Sequence, residues 1–381
     1  MLAIFISSVF LAFFIVVLLL TKKQKGVTDK ILAFLMGVIG LQMLGYYLKQ
    51  TGYWELYPHL IGTTAPVLLF HGPLLYLYCL YSLRPDTQIR KIDFLHFIPG
   101  IGGYLYMTRF FFLYSAEQKR LVDSGAIDDY DTFAIILLFS IFISGITYAV
   151  LSYRLTILHK RKMENQFSFT ENINLKWVRY IILSMGLIFV TAAIVMFVRD
   201  YLKVAFPFNA DYIFYTIIIL FIFFVGFYGI KQQNLFVNQT KPTPKPENEP
   251  VAEPEVPKYK HSGISDEEAK QLYTLLLQLM EQEKPFLESK LTLSELAEMM
   301  KITPNQLSQV INQVAKINFY DFINQYRVEA FIKQAEENPQ YNLLSVALDA
   351  GFNSKSSFNQ IFKKYKGVTP STFLAQKRPK L

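Results

Sequence analysis

The stretch Leu291-Thr-Leu-Ser-Glu-Leu-Ala-Glu-Met-Met-Lys-Ile-Thr-Pro-Asn-Gln-Leu-Ser-Gln-Val-Ile-Asn312 reads as a helix, a tight turn and a second helix. Thr292 and Glu295 have the spacing of a capping box, with Leu291 and Leu296 at the staple positions around it. Lys301-Ile-Thr303 forms the turn, and Thr303 caps the next helix with Gln306 at its third position. Pro304 takes the first position, where its missing N–H costs nothing. Leu296, Ala297, Leu307, Val310 and Ile311 then make a small core, which leaves Asn305, Gln306, Ser308, Gln309 and Asn312 on the outer face. Amides can bond an adenine edge in two places and a serine hydroxyl can donate or accept, so this face suits a major groove. Polar residues also cover the outside of any solvated helix, and this stretch alone leaves both readings open.

The arrangement recurs about fifty residues later in Leu343-Leu-Ser-Val-Ala-Leu-Asp-Ala-Gly-Phe-Asn-Ser-Lys-Ser-Ser-Phe-Asn-Gln-Ile-Phe-Lys-Lys-Tyr-Lys366. Gly351 supplies a turn that needs a left-handed backbone, and Ser354 caps the second helix. The outer face of that helix carries Lys355, Ser356, Ser357, Asn359, Gln360, Lys363 and Lys364. Between the two units, a helix over Phe319–Glu337 with apolar Phe322, Ile323, Tyr326, Val328 and Phe331 is the natural rigid connector, and Thr369-Pro370 opens a final short helix. Two recognition helices on one stiff connector can enter successive major grooves, about 34 Å apart. Charge follows the same division. Residues 351–381 hold seven Lys or Arg and no Asp or Glu, whereas 264–350 are acidic overall.

Residues 285–375 resemble the DNA-binding domain of the AraC family of transcription regulators. The resemblance is carried by Ala347-Leu-Asp-Ala-Gly-Phe352, by Ser354 with Phe358, Phe362 and Lys363, and by Gly367-Val-Thr-Pro370. Asn318-Phe-Tyr-Asp-Phe-Ile-Asn-Gln-Tyr-Arg-Val-Glu329 is similar to the family's connector, with Arg327 at its usual arginine. The resemblance implies that Asn305, Ser308 and Gln309, and in the second unit Lys355, Ser356, Ser357 and Gln360, face DNA. Gln360 departs from the arginine common there and implies loss of a two-bond contact to guanine.

The remaining chain is of another kind. Of 381 residues, 52% are hydrophobic, 16% aromatic and only 18% charged, and the apolar excess lies before Lys231. A hydrocarbon core needs roughly 20 apolar residues per helix. Segments near that length fall at about 2–20, 31–49, 64–83, 94–113, 132–153, 180–198 and 212–230, so seven spans are expected. The fourth is interrupted by Pro99, Gly100, Gly102, Gly103 and Arg109. Loops at 21–30, 83–93 and 154–179 hold 4, 3 and 6 Lys plus Arg, against 0, 2 and 2 in the loops at 50–63, 114–131 and 199–211. Thirteen against four places the first set in the cytoplasm, the N-terminus outside and everything after Lys231 inside.

The expected organisation is therefore an all-α chain: a transmembrane helical domain over 1–237, a Pro-rich linker over 238–263, an amphipathic helix over 264–284 and an AraC-type DNA-binding domain over 285–381. The amphipathic helix starts at a Ser265 cap and carries Leu272, Leu275, Leu276, Leu279 and Met280 as one stripe, which packs on the DNA-binding domain or serves a dimer contact. One cysteine, Cys79, excludes an intramolecular disulfide and any cysteine-based zinc site. No phosphate loop, metal motif or catalytic constellation is present, so no enzyme activity, metal or cofactor is expected. Expected partners are double-stranded DNA and a lipid membrane, with RNA polymerase and a second copy of the chain as further candidates. Seven spans exceed what an anchor needs, which points to sensing of an unidentified signal. Intramembrane polar positions are functional suspects, and His71 is the candidate for a ligand contact, with His96 and Arg109 nearer span ends. The competing class is a membrane-embedded binding or transport protein whose tail docks a protein partner.

Overall fold

Apolar runs punctuated by caps and breakers become helices throughout. The structure is a computed structural model that describes residues 2–23, 26–83, 88–169, 176–198, 211–231 and 264–377, with 202, 204 and 206. Among the described residues every extended element is helical, and the chain divides into two compact units. The Pro-rich linker expected over 238–263, together with Arg378 and Lys380, lies outside the described residues.

The first unit, residues 1–157 and 175–238, contains α1 (Leu2–Thr21), α2 (Val27–Gln50), α3 (Tyr53–Leu56), α4 (Leu68–Ser82), α5 (Ile98–Tyr106), α6 (Thr108–Leu113), α7 (Ala116–Asp123), most of α8 (Asp131–Gln166), α9 (Lys176–Met196) and α10 (Asp211–Lys231). Its largest core draws Ile15 and Leu19 from α1, Leu35 and Met36 from α2, Leu74 and Cys79 from α4, Ile181 from α9 and Ile222 from α10. Val27–Gln50, Asp131–Gln166 and Val178–Val195 are long and apolar enough to cross a bilayer, and Phe5–Thr21, Leu68–Ser82 and Tyr215–Tyr228 are shorter apolar helices. The stretch expected as the fourth span is not one helix. It comprises a 3-10 segment at Lys91–Phe97 followed by α5 and α6, with Pro99 in the first turn of α5 and Met107 between the two helices. A 3-10 turn and a proline start are what a Pro- and Gly-rich apolar stretch favours over an unbroken helix.

Much of the outward surface of this unit is apolar. Phe10, Phe112 and Leu113 are 72%, 81% and 75% exposed, and Ile136, Phe139, Ile143 and Ile146 line the outside of α8. Water-soluble proteins seldom expose contiguous apolar surface beyond a few hundred Å².

The second unit, residues 158–174 and 239–381, takes in the C-terminal end of α8 and the segment after it, which the sequence assigned to the membrane domain. Its other helices are α11 (Asp266–Gln282), α12 (Leu293–Met299), α13 (Pro304–Val310), α14 (Phe319–Glu337), α15 (Leu343–Asp349), α16 (Lys355–Lys366) and α17 (Pro370–Lys377). Two cores share the connector α14. Phe319, Phe322 and Ile323 join Leu276, Met280, Leu296, Leu307 and Ile311 in the first, and Val328, Phe331 and Ile332 join Val346, Phe352, Phe358 and Phe362 in the second. The stripe on α11 therefore packs onto the first helix-turn-helix, leaving Leu275 as its exposed member.

The caps form as their spacing predicts. Thr292 and Thr303 each make a capping box, with Glu295 and Gln306, and Ser265 and Ser354 accept from the N–H groups of Glu268 and Ser357. Beyond Val310 the helix widens into a π turn over Ile311–Ala315 and stops at Lys316, whose φ is 60°. Replacing Thr303 by alanine removes one partner of a box and is expected to cost about 1 kcal/mol, a drop of several degrees in the melting temperature of the C-terminal unit. An unchanged melting temperature would show that the box contributes nothing there.

Candidate nucleic-acid interface

Helix α13 begins at a capped proline, and its first turn presents Asn305 exposed to solvent. Ser308 and Asn312 lie three and seven positions on, half-buried on the same side, and the Asn312 amide donates to the Ser308 hydroxyl at 3.2 Å. Gln306 is half-buried and tied to the cap, its amide oxygen accepting from the Thr303 N–H at 2.9 Å and the Thr303 hydroxyl at 3.0 Å. Gln309 departs from the outer face expected for it. It is 6% exposed and its amide donates to Gln313 at 3.2 Å, while Gln313 in turn bonds Asp266 at the start of α11. The cause is α11, whose Ala269, with Ile264 before it, packs against Val310 and covers that flank of α13. A polar side chain on a helix is outward only where no other element lies over it.

In the second helix-turn-helix, Lys355, Ser356, Asn359, Gln360, Lys363 and Lys364 share one exposed side of α16, while Phe358, Ile361 and Phe362 are buried on the other. Ser357 is half-buried, and its N–H is taken by the Ser354 cap at 3.3 Å. The lysines are not equivalent. Lys364 pairs with Asp321 of the connector at 2.5 Å, Lys366 with Glu329 at 2.6 Å and Lys377 with Glu336 at 2.7 Å. Tyr365 donates to the same Asp321 at 2.8 Å, and burial together with that carboxylate pushes its phenol above the ordinary range, so it stays protonated as a donor. Among the described residues no ion pair engages Lys355 or Lys363, which leaves these two charges on the face of α16.

Behind the two helix-turn-helix elements lies a side chain whose position the sequence marked without its role. Arg327 is 1% exposed, and its guanidinium donates to the backbone carbonyls of Phe286 at 2.7 Å and Glu288 at 2.7 Å. Gly351 sits beside it with φ of 91°, and Asn353 donates to the carbonyl of Ser289 at 3.0 Å. One buried cation thus ties the segment before the first helix-turn-helix to the connector, next to the turn of the second. Hydrogen bonds to carbonyls satisfy a guanidinium without a carboxylate, which is why the site needs arginine's several donors.

In the first unit, His71 is buried on α4, and its Nε2 has no hydrogen-bond partner among the described residues. His96 meets the Tyr148 hydroxyl at 3.0 Å, and Arg109 lies over the Tyr114 ring. No group of three or more His, Cys, Asp or Glu among the described residues is placed to hold a metal ion.

A family described as a helix-turn-helix domain matches residues 296–376. The chain is similar to an uncharacterized HTH-type transcriptional regulator, YtdP, of Bacillus subtilis, with 30% identity over 91 residues that make up 24% of this chain and 12% of that protein. It is similar as well to the melibiose operon regulatory protein of Escherichia coli K12, 28% identical over 93 residues, 24% of this chain and 30% of that protein. The chain thus spans less than a third of the length of either relative. No solved structure matches it.

Proposed function

From the premise that the C-terminal part of this chain is a helix-turn-helix domain of the AraC type, we propose that the protein is a membrane-bound, sequence-specific DNA-binding transcription regulator. The observation that carries this reading is the pair of capped helices, α13 and α16, packed on one connector. Each keeps polar or basic side chains exposed on the side away from its core. At 1.5 Å per residue the 19-residue connector is about 28 Å long, of the order of one turn of the duplex. Asn305, Ser308 and Asn312 would read bases in one groove and Ser356, Asn359 and Gln360 in the next, with Lys355 and Lys363 on phosphates. Gln306 and Ser357 lie at the edges of these faces, Lys364 is held back by Asp321, and Gln309 supports α13 from behind.

The exposed apolar surface of the first unit supports lipid as its surroundings. The excess of basic residues in alternate loops supports a cytoplasmic C-terminal unit and an N-terminus outside. Several apolar helices exceed an anchor's needs, and His71 is the polar group in them best placed to meet a signal.

Genome-wide recovery of DNA bound to the intact protein tests the reading. Enrichment of one bipartite sequence, its halves about one helical turn apart, is expected. Replacing Lys355 or Lys363 by alanine should weaken recovery on all sequences alike and lower the salt slope by about 1 each. Replacing Asn305 or Gln360 should relax the sequence preference instead. No enrichment at any salt concentration would leave the tail as a docking module of a membrane binding or transport protein.

A further inference from the structure

The segment that follows α8 enters the C-terminal unit and closes over Arg327. Phe167 forms an antiparallel bridge with Thr292, the cap of the first helix-turn-helix. Ser168, 1% exposed, donates from its backbone N–H at 3.2 Å and from its hydroxyl at 2.6 Å to the carbonyl of Leu291. In return, Ser168 is an acceptor. Its carbonyl receives the Asn324 amide at 3.0 Å and Arg327 Nη1 at 3.0 Å, and its hydroxyl receives Arg327 Nη2 at 3.0 Å. Asn324 is fully buried. One residue from a segment more than 120 positions upstream therefore meets a buried guanidinium, a buried amide and the backbone that leads into α12.

Chain connectivity gives this contact its meaning. The docked residues lie between α8 and α9, two of the helices that carry segments long and apolar enough to cross a bilayer. The chain after α10 is thus not the sole covalent route from those helices to the second unit, since α8 itself runs to Gln166, one residue before the bridge. On the other side, Arg327 holds the Phe286 and Glu288 carbonyls and abuts Gly351, so the contact sits where the first helix-turn-helix, the connector and the second helix-turn-helix meet. Two helices must be held in register to enter neighbouring grooves together, and ordering that junction before binding raises affinity without a new DNA contact.

We propose that Phe167-Ser168-Phe169 is an internal docking clip, and that its seating in the Arg327–Asn324 notch holds the two helix-turn-helix units in the arrangement that binds DNA. Movement at the end of α8 withdraws the clip and loosens the pair. This regulatory role rests on the DNA-binding reading above, whereas the seating of the clip does not.

The test uses the full chain in isolated membranes. Residues paired across an antiparallel bridge have Cα atoms about 4.5–5.5 Å apart, within disulfide range. The double variant Phe167→Cys with Thr292→Cys is therefore expected to cross-link under mild oxidation, read as a mobility shift that reductant reverses. Either single variant should show no shift. Adding Ser168→Arg puts a like charge against Arg327 in a dry notch and should abolish the cross-link. In otherwise unaltered protein, Ser168→Arg should lower recovery of the bipartite DNA sequence by about tenfold or more, while the oxidised double variant retains it.

Failure of the cross-link to form overturns the clip. A formed cross-link with equal DNA recovery from Ser168→Arg and unaltered protein overturns its regulatory role. A formed cross-link with no DNA enriched by unaltered protein removes the DNA-binding reading and the regulatory role with it, and leaves the seating as an established contact.

Discussion

Replacing Gly351 by alanine is expected to destabilise the second helix-turn-helix by about 3–4 kcal/mol. The backbone there has φ of 91°, and a Cβ would stand 2.4 Å from the Phe286 carbonyl oxygen and 3.0 Å from both the Leu287 oxygen and Arg327 Nε. The obstacle is backbone, which cannot swing aside as a side-chain tip can. Left-handed strain alone is about 1–2 kcal/mol, and displacement of the carbonyl and the arginine brings the total to about 3–4 kcal/mol. That is a large share of the about 5–15 kcal/mol that holds a typical domain. Thermal unfolding of the detergent-purified protein, followed by limited proteolysis within 285–377, reads it directly. A fall in melting temperature of less than about 2 °C would show that the turn has room the geometry denies.

Arg327→Ala should cost about 3–5 kcal/mol, because it empties a buried site and strands several carbonyls that the guanidinium now satisfies. Arg327→Lys is the more discriminating variant. An ammonium is a compact point donor and cannot reach the Phe286, Glu288 and Ser168 carbonyls together, so lysine should recover less than half of the loss. Full recovery by lysine would mean that positive charge alone matters at this position and that the fork of donors does not. Protection of the Leu291 and Ser168 region in hydrogen exchange should fall in step with stability in both variants, since the same guanidinium orders both segments.

Helix ends were legible because a cap is a local agreement among residues three apart. Thr292 with Glu295, Thr303 with Gln306, and Ser354 ahead of Ser357 need nothing distant to form, and Gly351 signals its backbone by lacking a side chain. The small core of the first helix-turn-helix was legible for the same reason, since Leu296, Ala297, Leu307, Val310 and Ile311 fall at helical spacing and all are buried. The interruption at Pro99 and the glycines around it was visible as a weakness in the fourth apolar stretch, and α5 and α6 replace a single helix there. The π turn at Ile311–Ala315 had no local signal, because it is a widening of one turn whose residues keep helical character.

Which polar side chains face outward depended on elements far away in the chain. Gln309 carries the same amide as Gln306 and is buried because α11 lies over it, and Lys364 looks like Lys363 in sequence and differs by the presence of Asp321 on the connector. Sequence by itself determined the kinds of element, their caps, the two repeated units and the contrast between an apolar N-terminal region and a polar C-terminal one, since each follows from short-range periodicity and composition. Tertiary structure alone decided how Arg327 is used, which lysines of the C-terminal helices are paired and where Ser168 docks. Those outcomes require chain segments tens to more than a hundred residues apart to meet, and burial and hydrogen-bond partnership are properties of that meeting.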